Sequence, residues 1–393
     1  MSLQKIFFSL GLLVIAFTLV FRTHAHPLKK ATAEVLALCK SAGYRPSCYE
    51  KEIPKLLGKL TMEQTFAVVK GVQDADPEYL YCHVLAHKIS FAESQKHPDQ
   101  WKDILSRCPQ AQCNYGCLHG SLIQHFRGET LTDTQIVEAI PDLSTVCEPH
   151  AGFSPTDLDR TMCYHALGHL AMYITGGKPG KAIPICEQVS KKPDGRNYTD
   201  TCIQGIFMTV FQGVDPEDIA LVKGIKPEKN AVVAFCSYYE KHWQSCRRES
   251  YPLFRDQILT PDGFIGFCSY ALDSAHWENC ALGVLNIVAD TFFEKTDGLE
   301  KSKAYCSRLP KDKQSICYAG IAQRLVQIEP LRHIDTAVSL CVEAQRYGLD
   351  KDCFEGLSYY GFVSFLPHTP DQSVYCQKIP VVWQCGLYGR HSP

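Results

Sequence analysis

CYHALGHLAMY, residues 163–173, places a cysteine at the head of an almost entirely apolar run that carries His165 and His169 four positions apart. Most comparable runs have a small residue, usually glycine, three positions after the cysteine. A helix that is apolar on nearly all sides packs between neighbouring helices. These runs therefore predict a stack of buried helices. Three of the others begin at Cys202, Cys317 and Cys353 and read CIQGIFMTVF, CYAGIAQRLVQI and CFEGLSYYGFVSF.

The cysteines mark a repeat. Most of the 20 cysteines fall into close consecutive pairs, and from Cys117 onward the second cysteine of each pair recurs every 32 to 46 residues. A period of this length is typical of arrays of helical hairpins. The pairs are Cys39/Cys48, Cys108/Cys117, Cys147/Cys163, Cys186/Cys202, Cys236/Cys246, Cys268/Cys280, Cys306/Cys317, Cys341/Cys353 and Cys376/Cys385.

Each unit is interpreted as helix A, a polar turn and helix B, with a disulfide joining A to B. Such a short closed loop contributes about 2–3 kcal/mol through loop entropy. The two cysteines left over, Cys82 and Cys113, would form a tenth disulfide. Cysteine-bound zinc is disfavoured because no CxxC recurs. The predicted fold class is all-α: a solenoid-like array of about eight or nine disulfide-stapled αα-hairpin repeats.

The N-terminus and the cysteine count indicate an oxidising compartment. Lys5 precedes an apolar run from Ile6 to Phe21, which is long for the hydrophobic region of a signal peptide and short for a membrane-spanning helix. The small residues Thr23 and Ala25 suit cleavage by signal peptidase after Ala25. A removed signal peptide and a retained membrane anchor both remain open. Either one predicts an extracytoplasmic protein, whether secreted, periplasmic or lumenal.

The expected organisation has four parts. Residues 1–25 are a signal peptide or anchor, 26–77 an N-terminal helical cap, 78–185 histidine-bearing helical repeats and 186–393 disulfide-stapled helical repeats. The net charge of −2 gives no electrostatic reason to expect nucleic-acid binding. The C-terminal repeats are expected to support the fold or to offer a surface to a protein partner.

The pattern resembles the cysteine-rich SEL-like repeat proteins, secreted relatives of tetratricopeptide arrays with one disulfide per helix pair. The resemblance implies a role as an interaction scaffold. This chain departs from that pattern in its longer, irregular Cys–Cys loops and in its histidines. The residues that carry the resemblance, over roughly 150–393, are Ala166-Leu167-Gly168, Tyr173, Gly176-Gly177, Lys181-Ala182 and Cys186, then Gly205, Gly213-Val214 and Asp218.

Histidines follow the cysteines in three successive units. The stretches CHVLAH, CLHG and CYHALGH supply His83, His87, His119, His165 and His169. Residues four apart share a helix face, so two of these stretches each direct a pair of imidazoles to one point. Helices packed side by side lie about 8–10 Å apart, a gap that two imidazoles can bridge at a metal ion.

The later units lack these histidines. At the position of His119 and His165 they carry Gln204, Arg248, Leu282, Ala319 and Glu355. The repeat therefore does not require histidine, which favours a function for it. An imidazole-rich set suits copper, zinc or iron and does not suit calcium or magnesium.

The sequence thus predicts an extracytoplasmic transition-metal-binding protein and leaves open whether it is an enzyme. Neither histidine pair reads HExxH, so a zincin-type protease is disfavoured. The alternative is a secreted interaction scaffold with no metal, whose histidines are hydrogen-bonded core residues. A pocket that uses the histidines as acid–base groups without metal is a further alternative.

Overall fold

The computed structural model describes residues 27–109, 112–126, 130–150, 152–213, 216–270, 273–383 and 385. The all-α, disulfide-stapled fold class is confirmed: these residues form helices and two isolated β-bridges, with no β-strand among them. The predicted signal peptide or anchor lies outside the described residues. Within them, no helix combines the length and the apolar character needed to cross a membrane.

The chain divides into two compact units, with the boundary between Leu80 and Tyr81. The first unit contains helix α1 (27–39), α2 (Arg45–Glu52) and α3 (Met62–Ala75). Arg45 Nε lies 2.7 Å from Asp76 Oδ2, and the Tyr49 hydroxyl donates to the same carboxylate. Cys39–Cys48 links α1 to α2.

The second unit carries the repeats and all five histidines of interest. Its pairs of helices are joined by short turns, and the second helix of each pair packs against the second helix of the next. The helices are α4 (His83–Lys96), α5 (Trp101–Ser106), α6 (Gly116–Phe126), α7 (Asp133–Thr145), α8 (Asp157–Ile174), α9 (Pro179–Val189), α10 (Thr199–Gln212), α11 (Pro216–Leu221), α12 (Val232–Ser237), α13 (Trp243–Glu249), α14 (Arg255–Ile258), α15 (Pro261–Cys268), α16 (Ser274–Phe293), α17 (Gly298–Ser307), α18 (Lys311–Ile328), α19 (Pro330–Gln345), α20 (Asp350–Val363) and α21 (Pro370–Gln377).

Ten disulfides take up all 20 cysteines, and they join the partners expected from the order of the chain. Most connect the two helices of one pair, as Cys147–Cys163 connects the end of α7 to α8. Cys82–Cys113 instead connects the start of α4 to the turn before α6. The remaining links are Cys108–Cys117, Cys186–Cys202, Cys236–Cys246, Cys268–Cys280, Cys306–Cys317, Cys341–Cys353 and Cys376–Cys385.

Several B helices begin earlier than the cysteine pattern predicts. Helix α8 begins at Asp157, six residues before Cys163, because Thr156 and Asp159 form a capping box. The Thr156 hydroxyl accepts from the Asp159 backbone N–H at 3.0 Å, and the Thr156 N–H donates to the Asp159 carboxylate at 2.8 Å. This cap satisfies backbone donors that would otherwise be unpaired at a helix start. The disulfide therefore joins α8 in its second turn.

Glycines set the spacing between successive B helices. A Cβ added at Gly168 on α8 would lie 1.9 Å from the carbonyl oxygen of Cys202, and one at Gly205 on α10 would lie 2.1 Å from that of His165. At Gly120 on α6 the nearest backbone atom would be the His87 carbonyl oxygen, at 2.5 Å. Only glycine permits this approach, and at Gly120 it brings two of the histidine-bearing helices, α4 and α6, into backbone contact.

Candidate metal centre

All five histidines singled out in the sequence lie in one cluster at the contacts between α4, α6 and α8. The His119 ring is at its centre, with ring-centroid distances of 4.9 Å to His83, 5.2 Å to His87, 5.7 Å to His165 and 5.3 Å to His169. Each helix-spaced pair also meets, at 4.6 Å for His83 and His87 and at 5.0 Å for His165 and His169. The cluster thus forms across three helices.

Three of the five are placed to share one ion. One ligand nitrogen from each of His83, His87 and His119 lies within 4.8 Å of the other two, and all three residues are buried. His165 and His169 are in ring contact with His119 but lie outside that tight group. The cluster therefore consists of a triad and an adjoining pair.

His119 has no hydrogen-bond partner for either ring nitrogen among the described residues, although only 1% of the residue is exposed. Leaving a buried polar group unpaired costs about 1–3 kcal/mol, so native proteins rarely retain one without a reason. Four other imidazoles surround the His119 ring, with centroids 4.9 to 5.7 Å away. An orphaned imidazole in this setting is suited to hold an ion.

The tautomer of His83 is fixed by the backbone. Its Nδ1 lies 2.9 Å from the carbonyl oxygen of Asn114, so Nδ1 carries the proton and donates, leaving a lone pair on Nε2. In the metal-free protein that lone pair accepts a hydrogen bond from His87 Nε2, at 3.0 Å. A metal-binding histidine usually donates its other ring N–H to a carbonyl or carboxylate in the same way.

The carbonyl that holds His83 belongs to a strained turn. Cys113, Asn114 and Tyr115 have φ of 50°, 46° and 63°, a left-handed conformation that costs about 1–2 kcal/mol for each non-glycine residue. The Cys82–Cys113 disulfide connects this turn to the residue next to His83. Such strain clusters at functional sites, where it aims a group that an ordinary turn would not.

The tautomer of His169 is fixed by a side chain. Thr209 donates its hydroxyl hydrogen to the Gly205 carbonyl oxygen at 3.0 Å. The hydroxyl oxygen, 2.8 Å from His169 Nδ1, must therefore accept from that nitrogen. Nε2 of His169 is left with a lone pair and is buried without a partner among the described residues.

Burial keeps these imidazoles neutral. It lowers the pKa of His83 to about 4 and that of His169 to about 3. The pKa of His119 and that of His165 are also well below the ordinary value, first through burial and then through the neighbouring imidazoles. Neutral imidazole is the form that binds metal ions, so no proton needs to leave at neutral pH.

The cluster forms part of the wall of a cavity of about 480 Å³ in the second unit. His83, His119 and His165 contribute to the wall, together with residues of α13, α16, α18 and α20. This volume lies within the usual range for small-molecule sites. An ion held by the histidines could therefore be reached by a further ligand from the cavity.

The structure places several residues at this site that the sequence did not single out. Arg324 forms a two-point ion pair with Asp290, with both N–O distances 2.8 Å, and its guanidinium lies 5.7 Å from the Tyr81 ring centroid. Met208 contacts His165, with 3.2 Å between Nε2 and Sδ. One sequence signal points to Met208: it follows Gly205 by three residues, and that glycine marks where α10 crosses α8.

Comparison with known proteins gives no assignment for this chain. No protein-family model, curated protein or solved structure matches it significantly. The many contacts between helices are compatible with the helical-repeat architecture that the cysteine spacing predicts. The function is therefore argued from the site.

Proposed function

We propose that this chain is an extracytoplasmic protein that binds a transition-metal ion through His83, His87 and His119. The observation that carries the proposal is His119, which is buried, has no partner for either ring nitrogen among the described residues and is surrounded by four imidazoles. Ten disulfides support the extracytoplasmic location, because such bonds persist in oxidising compartments.

The donor set defines the class of metal. Three imidazoles suit zinc, copper, iron or nickel, whereas calcium and magnesium prefer oxygen ligands. The Asn114 carbonyl supplies the outer contact that orients His83. His83 and His119 of the triad also contribute to the cavity wall, so a further molecule in the cavity would lie beside the ion.

The alternative is an interaction scaffold without metal. In that role the histidines would serve as core residues, each satisfied by its own hydrogen bonds. Two nitrogens of His119 and one of His169 have no such partner among the described residues. An ion in the triad would bind one of the two His119 nitrogens, which a scaffold without metal leaves unpaired, and this favours the metal-binding proposal.

Metal binding by the oxidised, full-length protein tests the proposal. The protein is stripped with a chelator and dialysed against Zn(II), Cu(II) or Co(II) separately, and bound metal is measured by elemental analysis. Cobalt adds a visible spectrum that reports imidazole coordination. We expect at least one tightly bound ion in wild type and none in His87→Ala/His119→Ala.

His276→Ala is the matched control, because His276 is a partly exposed histidine that contacts Asp273 on α16, away from the cluster. It should bind metal as wild type does. Circular dichroism should show that the double variant keeps its helices. Equal metal content in wild type and the double variant would overturn the proposal and leave the scaffold role.

A further inference from the structure

Met208 places a sulfur atom next to His165, whereas the other members of the cluster are all imidazoles. His165 Nε2 lies 3.2 Å from Met208 Sδ, and both side chains contribute to the cavity wall. Ligand atoms of one first-row metal ion sit about 2.0 Å (nitrogen) and 2.3 Å (sulfur) from the metal, as in zinc sites. An N–S separation of 3.2 Å therefore fits two ligands of a single ion.

Sulfur is scarce in this protein as a metal ligand. All 20 cysteines are in disulfides, so none can supply a thiolate. The chain has five methionines, and two of them, Met162 and Met208, contribute to the cavity wall beside the histidines. Met162 precedes His165 by three residues and therefore shares its helix face. The thioethers are thus concentrated where the imidazoles are.

We propose that His165 and Met208 bind a Cu(I) ion beside the His83/His87/His119 triad. Thioether sulfur is a soft ligand that selects Cu(I) over the harder divalent ions. A triad of imidazoles alone binds those divalent ions as well. The proposal extends the proposed function by a second position and by the identity of its metal. It does not require the triad to be occupied.

Anaerobic titration with Cu(I), supplied as its acetonitrile complex without thiols so that the disulfides stay intact, tests the proposal. A coloured Cu(I) chelator competes and reports affinity. We expect two equivalents bound by wild type and one by Met208→Leu, with X-ray absorption showing a Cu–S shell that this variant loses. Leucine replaces methionine in a core at a cost below about 1.5 kcal/mol, so the variant should fold.

Met172→Leu is the matched control, because Met172 is a fully buried methionine on the same helix as His165. It should retain both equivalents and the sulfur shell. The proposal is overturned if Met208→Leu binds Cu(I) with unchanged stoichiometry and affinity, or if wild type shows no Cu–S shell.

The two proposals fail separately. In His87→Ala/His119→Ala, Cu(I) should still bind at His165 and Met208 with its sulfur shell. Suppose that Cu(I) binds this variant with its sulfur shell, while Zn(II), Cu(II) and Co(II) do not bind wild type. The triad proposal then fails and the copper proposal stands. If divalent ions bind wild type but no sulfur shell forms with Cu(I), the reverse holds.

Discussion

His83 Nδ1 donates to the carbonyl oxygen of Asn114 at 2.9 Å, and Asn114 holds a left-handed φ of 46° in order to present that oxygen. The hydrogen bond decides which nitrogen of His83 is available as a ligand. The Cys82–Cys113 disulfide keeps the two partners together across a separation of 31 residues. A disulfide that lies outside the repeat therefore adjoins the proposed metal site.

Removal of this disulfide should weaken metal binding. In Cys82→Ala/Cys113→Ala the turn is free to relax, and loss of an outer contact of this kind typically costs 10–100-fold in metal affinity. We expect a drop in that range by isothermal titration. Loop entropy also predicts a loss of about 3–4 kcal/mol in the free energy of unfolding.

Cys376→Ala/Cys385→Ala is the control for that experiment, because its disulfide lies at the C-terminal end of the described chain. It should lower stability and leave metal affinity unchanged. Equal affinities in wild type and the Cys82/Cys113 variant would show that the strained turn has no role in binding.

Substitution of His119 by leucine should separate stability from function. The metal-free variant loses a buried imidazole with no partner among the described residues, which removes a cost of about 1–3 kcal/mol. We expect His119→Leu to be as stable as the metal-free wild type or more stable. Saturating metal should raise the melting temperature of wild type by several degrees and leave that of the variant unchanged. Thermal unfolding of both proteins, with and without metal, measures these melting temperatures. A metal-free His119→Leu that is less stable than metal-free wild type would contradict the expected gain in stability.

The metal-free protein should lose stability in mild acid. The folded-state pKa is about 4 for His83 and about 3 for His169, below the unfolded value of about 6.5. Between those values the unfolded chain binds more protons, so the free energy of unfolding falls as pH falls below 6.5. Each of the two should contribute a loss of about 2 kcal/mol at pH 5.

Urea unfolding of chelator-treated protein at pH 7.5 and pH 5 measures this loss. A His169→Leu variant should lose less stability between the two pH values, because one of the groups is removed. A midpoint that is the same at both pH values would show that these imidazoles are not held neutral by burial.

Gly120→Ala should damage both the fold and the site. Its Cβ would lie 2.5 Å from the His87 carbonyl oxygen, so α4 must move away from α6. Overpacking of this kind typically costs about 1–3 kcal/mol, and the same movement separates His87 from His119. We expect lower stability by denaturant unfolding together with weaker metal binding.

Gly266→Ala is the matched control on α15, since no atom lies within 4 Å of its added Cβ. Replacing an unconstrained helical glycine by alanine should stabilise the protein by about 0.5–1 kcal/mol. If Gly120→Ala behaved in the same way, the close approach of α4 and α6 would not be needed.

Much of the fold could be predicted from the cysteines alone. Their spacing indicated helical hairpins, and the glycine three residues after Cys117 and Cys202 indicated close helix packing, which Gly120 and Gly205 provide. The starts of the B helices were predicted less accurately. Caps such as Thr156 extend a helix beyond the disulfide, and their effect depends on local hydrogen bonds that cysteine spacing does not report.

The histidine pairs could also be found in the sequence, because spacing of four residues fixes a shared helix face. Their convergence on His119 could not, since it depends on how closely three helices approach each other. The roles of Asn114 and Thr209 could not be found either, because each contacts a histidine 31 or 40 residues away in the chain.

The sequence by itself determined the helical class, the disulfide-stapled repeat and the presence of histidines that the repeat does not need. Periodicity and spacing are local properties of the chain, and they carry that information. The tertiary structure alone decided which ring nitrogens carry protons, as at His83 and His169. Those properties depend on single hydrogen bonds between distant residues, which exist only once the helices have packed.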